Sequence, residues 1–128
     1  MNVVMVMVGI AALFLIVRRF LTSGKCSELT PAEAQRMLAE GNLFIIDVRT
    51  PGETKFGKIK GSMLIPLDEI GRRMAEVPQD KRVLLCCASG MRSRVAAGVL
   101  WRSGYRELYN LAGGVAAWQR AGLPMQKG

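Results

Sequence analysis

A cysteine opens a short run of small residues that ends in a methionine and an arginine: Cys87-Ala88-Ser89-Gly90-Met91-Arg92. Just before it stands Val83-Leu84-Leu85-Cys86, an apolar run that predicts a buried strand. Just after it, Ser93-Arg94-Val95-Ala96-Ala97-Gly98-Val99-Leu100-Trp101 predicts a helix. A cysteine at the C-terminal end of a strand, on a loop closing into a helix N-terminus, is placed to be a thiolate. The loop amides can point inward and form an anion-binding nest. The helix start adds unpaired N–H groups and a partial positive charge. Arg92 adds a full charge that neutral pH does not remove. Each of these lowers a thiol pKa, and the thiolate is the nucleophile.

Cys86 and Cys87 are expected to differ. Alternation along a strand sends neighbours to opposite faces, so Cys86 reads as inert packing. Cys87 ends the strand and faces a small polar loop, where an exposed thiol of lowered pKa is expected. The third cysteine, Cys26, is far away in sequence, so the three make no disulfide framework. That usage suits a reducing compartment. The chain contains no histidine, which excludes His-ligated metal sites and Cys/His catalytic pairs. The formal net charge of +8 is scattered, with Arg18-Arg19, Arg72-Arg73 and Lys81-Arg82 the only adjacent basic pairs. With few aromatics and no basic run, no nucleic-acid partner is expected. A basic face toward anionic lipid or an anionic substrate is the more economical reading.

The elements that must position Cys87 alternate strand and helix. Thr30-Pro31-Ala32-Glu33 marks a helix start with Thr30 as N-cap and Glu33 closing a capping box. That helix runs to about Glu40. Leu43-Phe44-Ile45-Ile46 predicts a strand ending in Asp47-Val48-Arg49, and Thr50-Pro51-Gly52-Glu53 a turn. Ser62-Met63-Leu64-Ile65 predicts a short strand and residues 67–75 a helix. Residues 94–102 predict the helix behind the loop, Glu107-Leu108-Tyr109-Asn110 a last strand, and residues 115–121 a last helix opened by Gly113-Gly114. Such alternation implies an α/β fold, a parallel sheet with helices on both faces. Ligands of such sheets bind beyond the strand C-termini, where Cys87 falls. Asp47, Arg49 and Glu53, an acidic-basic set near a strand end, read as a brace under that site, since half-buried charges are usually paired. Trp118 reads as core. Met91 and Trp101 are candidates for the rim of a substrate mouth.

Residues 3–17 carry no charge. At 1.5 Å per residue they span about 22 Å, short of a ~30 Å hydrocarbon core. Residues 1–21 reach that thickness if Arg18 and Arg19 snorkel to the interface. A signal peptide would carry a basic n-region and a small-residue cleavage site; here the first basic side chains follow the apolar run. The chain is therefore expected to begin with one transmembrane helix over 1–21, which touches membrane lipid, and a linker over 22–27. The domain of residues 28–128 is expected to face the cytoplasm by the positive-inside rule.

Four motifs together resemble a single rhodanese domain. They are Asp47-Val48-Arg49 with Pro51 and Glu53; Gly57-Lys58-Ile59-Lys60-Gly61-Ser62 leading to Ile65-Pro66; Cys87 to Ser93; and Gly104-Tyr105 through Leu111-Ala112-Gly113-Gly114 and Trp118 to Gly122-Leu123-Pro124. The resemblance implies a sulfurtransferase that works without a metal or cofactor. It implies that Cys87 takes sulfur from a small donor such as thiosulfate, becomes a persulfide, and passes the sulfur to an acceptor such as cyanide or a protein thiol. It implies further that Ala88, Ser89, Gly90, Met91, Arg92 and Ser93 hold the persulfide, with Asp47, Arg49 and Glu53 in support.

Two departures from the family pattern bear on substrate. Ala88 stands where thiosulfate-using members often carry a basic residue, and Lys58 where many carry histidine. Two alternatives stay open on the sequence: a rhodanese-fold interaction domain without catalysis, and a phosphatase or arsenate-reductase relative. Related phosphatases hold phosphate in a loop one residue longer than the four residues here between Cys87 and Arg92.

Overall fold

The structure, a computed structural model, describes residues 2–22 and 26–128. Helix α1, Val3–Thr22, comes first. There follow β1 (Ser27–Leu29), α2 (Pro31–Ala39), β2 (Leu43–Asp47), α3 (Pro51–Thr54), β3 (Lys58–Ile59) and β4 (Met63–Leu64). The chain continues through β5 (Arg82–Cys86), α4 (Met91–Arg102), β6 (Leu108–Leu111), α5 (Gly114–Arg120) and β7 (Met125–Gln126). Five strands form one parallel sheet in the order β1-β6-β5-β2-β4. The strand that leads to Cys87 is thus central, with β2 and β6 on its two sides.

Strand alternation builds two cores, one on each sheet face. Ile46, Val83, Leu85 and Cys87 face α4, whose Ala96, Ala97 and Leu100 pack against them. Ile45, Leu84 and Cys86 face the opposite way, toward Ala34 of α2 and Val115 and Trp118 of α5. Leu84, Leu85, Ile46 and Leu100 are fully buried, and each such side chain stabilises the fold by roughly 1.5–3 kcal/mol. Helices therefore cover both faces of a parallel sheet, as the strand–helix alternation predicts.

The capping box of α2 forms as expected: the Glu33 amide donates to Thr30 Oγ1, and the Glu33 carboxylate accepts from the Thr30 amide. The same four-residue pattern recurs at Thr50-Pro51-Gly52-Glu53, predicted as a turn. There too a capping box closes, and the segment is the short helix α3. The helix predicted over 67–75 is replaced by two 3-10 turns, Leu67–Glu69 and Met74–Glu76. Gly71 interrupts the segment, and the Tyr105 hydroxyl ties it down by donating to the carbonyls of Met74 and Val77. Helix α4 begins at Met91, three residues ahead of the expected start, so Met91, Arg92 and Ser93 form its first turn. Strands β1, β3 and β7 carry no sequence expectation; β3 and β7 make a small antiparallel pair.

Residues 1–21 are expected to span a membrane. Helix α1 forms, and its apolar side chains from Val3 to Leu15 are exposed. Among the described residues, however, no helix is long and apolar enough to cross a membrane. The described side chains extend over residues 3–15, about 20 Å at 1.5 Å per residue. Residues 23–25 of the expected linker, and the side chains of Arg18 and Arg19, lie outside the described residues.

Candidate active site

Cys87 is the first residue past β5, and its sulfur meets a ring of donors. The Gly90 amide donates to Cys87 Sγ at 3.0 Å. The Ser93 hydroxyl lies 3.5 Å from the same sulfur, and the amides of Ser89 and Ser93 face it as well. Gly90 makes this turn possible: its φ is +107°, a conformation that side-chain-bearing residues rarely adopt. Burial pushes the Cys87 thiol up, but the Ser93 hydroxyl and the amides of Ser93, Gly90 and Ser89 outweigh it and hold the thiol below its ordinary value. Cys86, one residue earlier, has the opposite fate. It is completely buried on the other face, and burial, then the nearby Asp47 carboxylate, pushes its thiol well up.

The loop is held from beneath by the start of α5. The Val115 amide donates to the Cys87 carbonyl at 2.8 Å, and the Ala116 amide to the Ala88 carbonyl at 3.3 Å. With their carbonyls turned down onto α5, the loop residues leave their amides free to turn toward the sulfur. Gly114 permits this approach. A Cβ there would stand 2.4 Å from the Cys87 carbonyl oxygen and 2.5 Å from that of Ala88.

Two ion pairs flank the loop. Asp47, at the end of β2 and in register with Cys86, is completely buried and grips Arg49 through Oδ2 and Nη2 at 2.8 Å. The Arg49 Nη2 also donates to the Gly57 carbonyl at 2.9 Å, which ties the turn after α3 to the sheet. Glu53 meets Arg92 in a bidentate pair, both contacts 2.7 Å. Arg92, together with hydrogen bonds from Thr50, holds the Glu53 carboxyl down at about 2. The sequence reading gave the Arg92 charge to the thiol. Here its strongest partner is Glu53, with Cys87 a weaker one, and the donors nearest the sulfur are amides and a hydroxyl.

The remaining sequence candidates are spread around the loop. Ala88 is half-buried, and Ser89 and Met91 are exposed at the rim. Met91 is 71% exposed. Trp101 stacks instead under the Arg106 guanidinium, 4.0 Å from its ring centre, and Trp118 is core. The expected exposed thiol is buried: Cys87 is 1% exposed. Two residues escaped sequence reasoning. Gly114 was read as part of a turn. Asn110 was read as an ordinary strand residue, yet it is completely buried and its Oδ1 is in close hydrogen-bond contact with Ser93 Oγ. The contact of Asn110 with Ser93, which itself meets the Cys87 sulfur, is visible only once β6 lies beside β5.

A family model described as Rhodanese-like domain matches residues 30–121. A sulfurtransferase of Allochromatium vinosum is 39% identical over 92 residues, covering 72% of this chain and 86% of that protein. The thiosulfate sulfurtransferase GlpE of Actinobacillus succinogenes is 32% identical over 100 residues, 78% of this chain and 90% of that one. Among solved structures, reduced Bacillus anthracis CoADR-RHD matches with a TM-score of 0.68 and 42% identity. That match covers 73% of this chain but 16% of the much longer second chain.

Proposed function

This chain belongs to the rhodanese-like family of sulfurtransferases, and from that membership we propose that Cys87 carries sulfane sulfur as a persulfide. One observation carries the proposal: uncharged donors converge on a single cysteine sulfur and hold its thiol below the ordinary value. The Cys87 thiolate attacks the outer sulfur of a donor such as thiosulfate. A new S–S bond forms as the donor's own S–S bond breaks, and the leaving sulfite takes the electron pair. The amides of Ser89, Gly90 and Ser93 then face an anionic persulfide, which asks for hydrogen-bond donors and little else. A thiophilic acceptor, cyanide or a thiolate, next attacks the terminal sulfur. The Cys87 thiolate leaves and the loop returns to its starting state.

The same geometry favours sulfur over phosphate. Arg92 is engaged by Glu53 rather than turned into the loop, and the loop is the shorter one. Asp47 with Arg49, and Glu53 with Arg92, fix the floor and wall on which the loop rests. Ala88 supplies no charge for a dianion, so thiosulfate is a usable but poor donor, and a protein thiol is a fitting acceptor.

Residues 1–21 belong to the same proposal as a membrane anchor, with the domain facing the cytoplasm. Its support is a helix whose apolar side chains from Val3 to Leu15 are exposed, in a stretch uncharged from Val3 to Val17 that Arg18 and Arg19 follow in the sequence.

The deciding experiment is intact mass after incubation with thiosulfate. The chain is expected to gain one sulfur, which cyanide or a reductant removes. Cys87→Ser abolishes the gain and Cys86→Ser keeps it. A Cys87→Ser chain that still takes up removable sulfur overturns the assignment.

A further inference from the structure

Ser93 has one hydroxyl proton and two neighbours that compete for it. Cys87 Sγ lies 3.5 Å away on one side, and Asn110 Oδ1 is in close contact on the other. Both neighbours accept, so a proton given to Oδ1 is withheld from the sulfur. On the same carboxamide, Nδ2 is buried without a hydrogen-bond partner among the described residues. A buried, unpaired amide nitrogen is costly. A half-turn of the Asn110 carboxamide exchanges its two ends. Nδ2 then donates to Ser93 Oγ, the Ser93 proton is released toward Sγ, and the buried group left over is a carbonyl, the less costly orphan.

We propose that Asn110 is a positioning residue: it turns Nδ2 toward Ser93 when Cys87 bears a negative sulfur, and so commits the Ser93 proton to that sulfur. A neutral thiol needs no such donor, and with it Oδ1 faces Ser93. A thiolate or a persulfide anion is a strong acceptor and selects the turned carboxamide, because hydrogen bonds to ionised groups are the stronger ones. Asn110 never touches the sulfur itself and acts through Ser93. The charged groups around Cys87 leave this device intact. Arg92 of α4 is paired with Glu53, Asp47 at the end of β2 is paired with Arg49 just beyond it, and Cys86 of the same strand as Cys87 is a buried thiol.

The inference rests on Cys87 being the sulfur carrier, and its test is read on thiol titration, which needs no donor. The rate of alkylation of Cys87 by iodoacetamide is measured against pH in the full chain, with the modified peptide followed by mass to separate it from Cys26. Asn110→Asp keeps the shape, but its carboxylate can only accept. It is expected to move the Cys87 midpoint up by at least one pH unit, slowing alkylation about tenfold below the midpoint. Asn110→Ala is expected to move it up by less, and to add nothing in a Ser93→Ala background. The alanine variant buries no charge and keeps the test readable where Asn110→Asp does not fold. An unmoved midpoint in the Asn110 variants overturns the proposal. So does an Asn110→Ala shift of equal size with and without Ser93. Failure of the carrier reading is seen separately, as no gain of sulfur at Cys87 from thiosulfate.

Discussion

Cys86 and Cys87 are adjacent and both buried, and hydrogen-bond donors separate their chemistry. Cys87 has the amides and the hydroxyl that a negative sulfur needs; at Cys86 burial and the nearby Asp47 carboxylate outweigh the Arg49 charge. Strand alternation made that contrast legible in the sequence. The partner of Arg92 was not legible, because Glu53 lies 39 positions away and nothing local joins them. The pair makes a pH-dependent contribution that can be checked. Glu53 titrates at about 2 in the fold against an ordinary value of 4.5, so its folded pKa is depressed. Its stabilisation is fully present above pH 4.5 and is lost as the pH falls through 2. Both side chains are about a third exposed, so water screens the pair, and Arg92→Ala should cost about 0.5–1 kcal/mol at pH 7. Thermal melts should show the gap between the two proteins closing from pH 4.5 toward 2. A gap of the same size at pH 2 would mean that the arginine stabilises the fold by other contacts. The Cys87 titration should move less in this variant than in Ser93→Ala, since Arg92 is engaged elsewhere.

At the scale of elements, the site is the meeting of two helix starts over one strand end. Helix α4 brings Ser93 to the sulfur, and α5 supports the loop through Val115 and Ala116. Gly114 is where this arrangement is least tolerant. It has φ of +64°, and a Cβ would fall within 2.6 Å of three backbone atoms of Cys87 and Ala88. Backbone cannot swing aside as a flexible side chain can, so Gly114→Ala should cost about 1–3 kcal/mol from overpacking, with roughly 1–2 kcal/mol more for the left-handed conformation. Because the displaced atoms belong to the loop, sulfur transfer should fall further than stability does. Urea unfolding and sulfur uptake on one sample measure both; a variant that loses stability but keeps the wild-type rate would show that α5 does not set the loop. Apolar runs such as Val83-Leu84-Leu85-Cys86 are legible as buried strands, and so is the Thr30 cap. The equivalent cap at Thr50 is not, because Pro51-Gly52 also fits a turn and only four residues follow the helical pattern. The segment after Leu67 has enough apolar residues for a helix. Its fate was settled by Gly71 and by Tyr105, which reaches it from across the fold. The two-residue strands β3 and β7 exist only because each finds the other, and no local pattern announces that.

The whole molecule divides unequally. Among the described residues both cores are built from Cys26 onward, and about 100 residues suffice to bury roughly two-thirds of the unfolded surface. Among its described side chains helix α1 adds none to either core, and ten of its large apolar ones, from Val3 to Leu15, are exposed. Soluble proteins rarely leave more than a few hundred Å² of contiguous apolar surface in water, and the proposal that lipid covers the exposed stretch from Val3 to Leu15 is open to direct test. Removing residues 1–24 should therefore leave a soluble domain with unchanged Tm and unchanged sulfur uptake, because no core side chain is lost. The full chain should instead sediment with membranes and resist extraction by high salt, since its attachment is apolar rather than electrostatic. The proposed cytoplasmic side rests on the positive-inside rule, since Arg18, Arg19 and Lys25 follow the uncharged run in the sequence. An impermeant thiol reagent applied to intact cells should leave the three cysteines unmodified and should reach Cys26 after lysis, because Cys26 is the cysteine with a partly exposed side chain. Labelling before lysis would place the domain outside, where a thiol of lowered pKa is open to oxidation. A full chain found in the soluble fraction would remove the anchor and leave the sulfur chemistry as it stands.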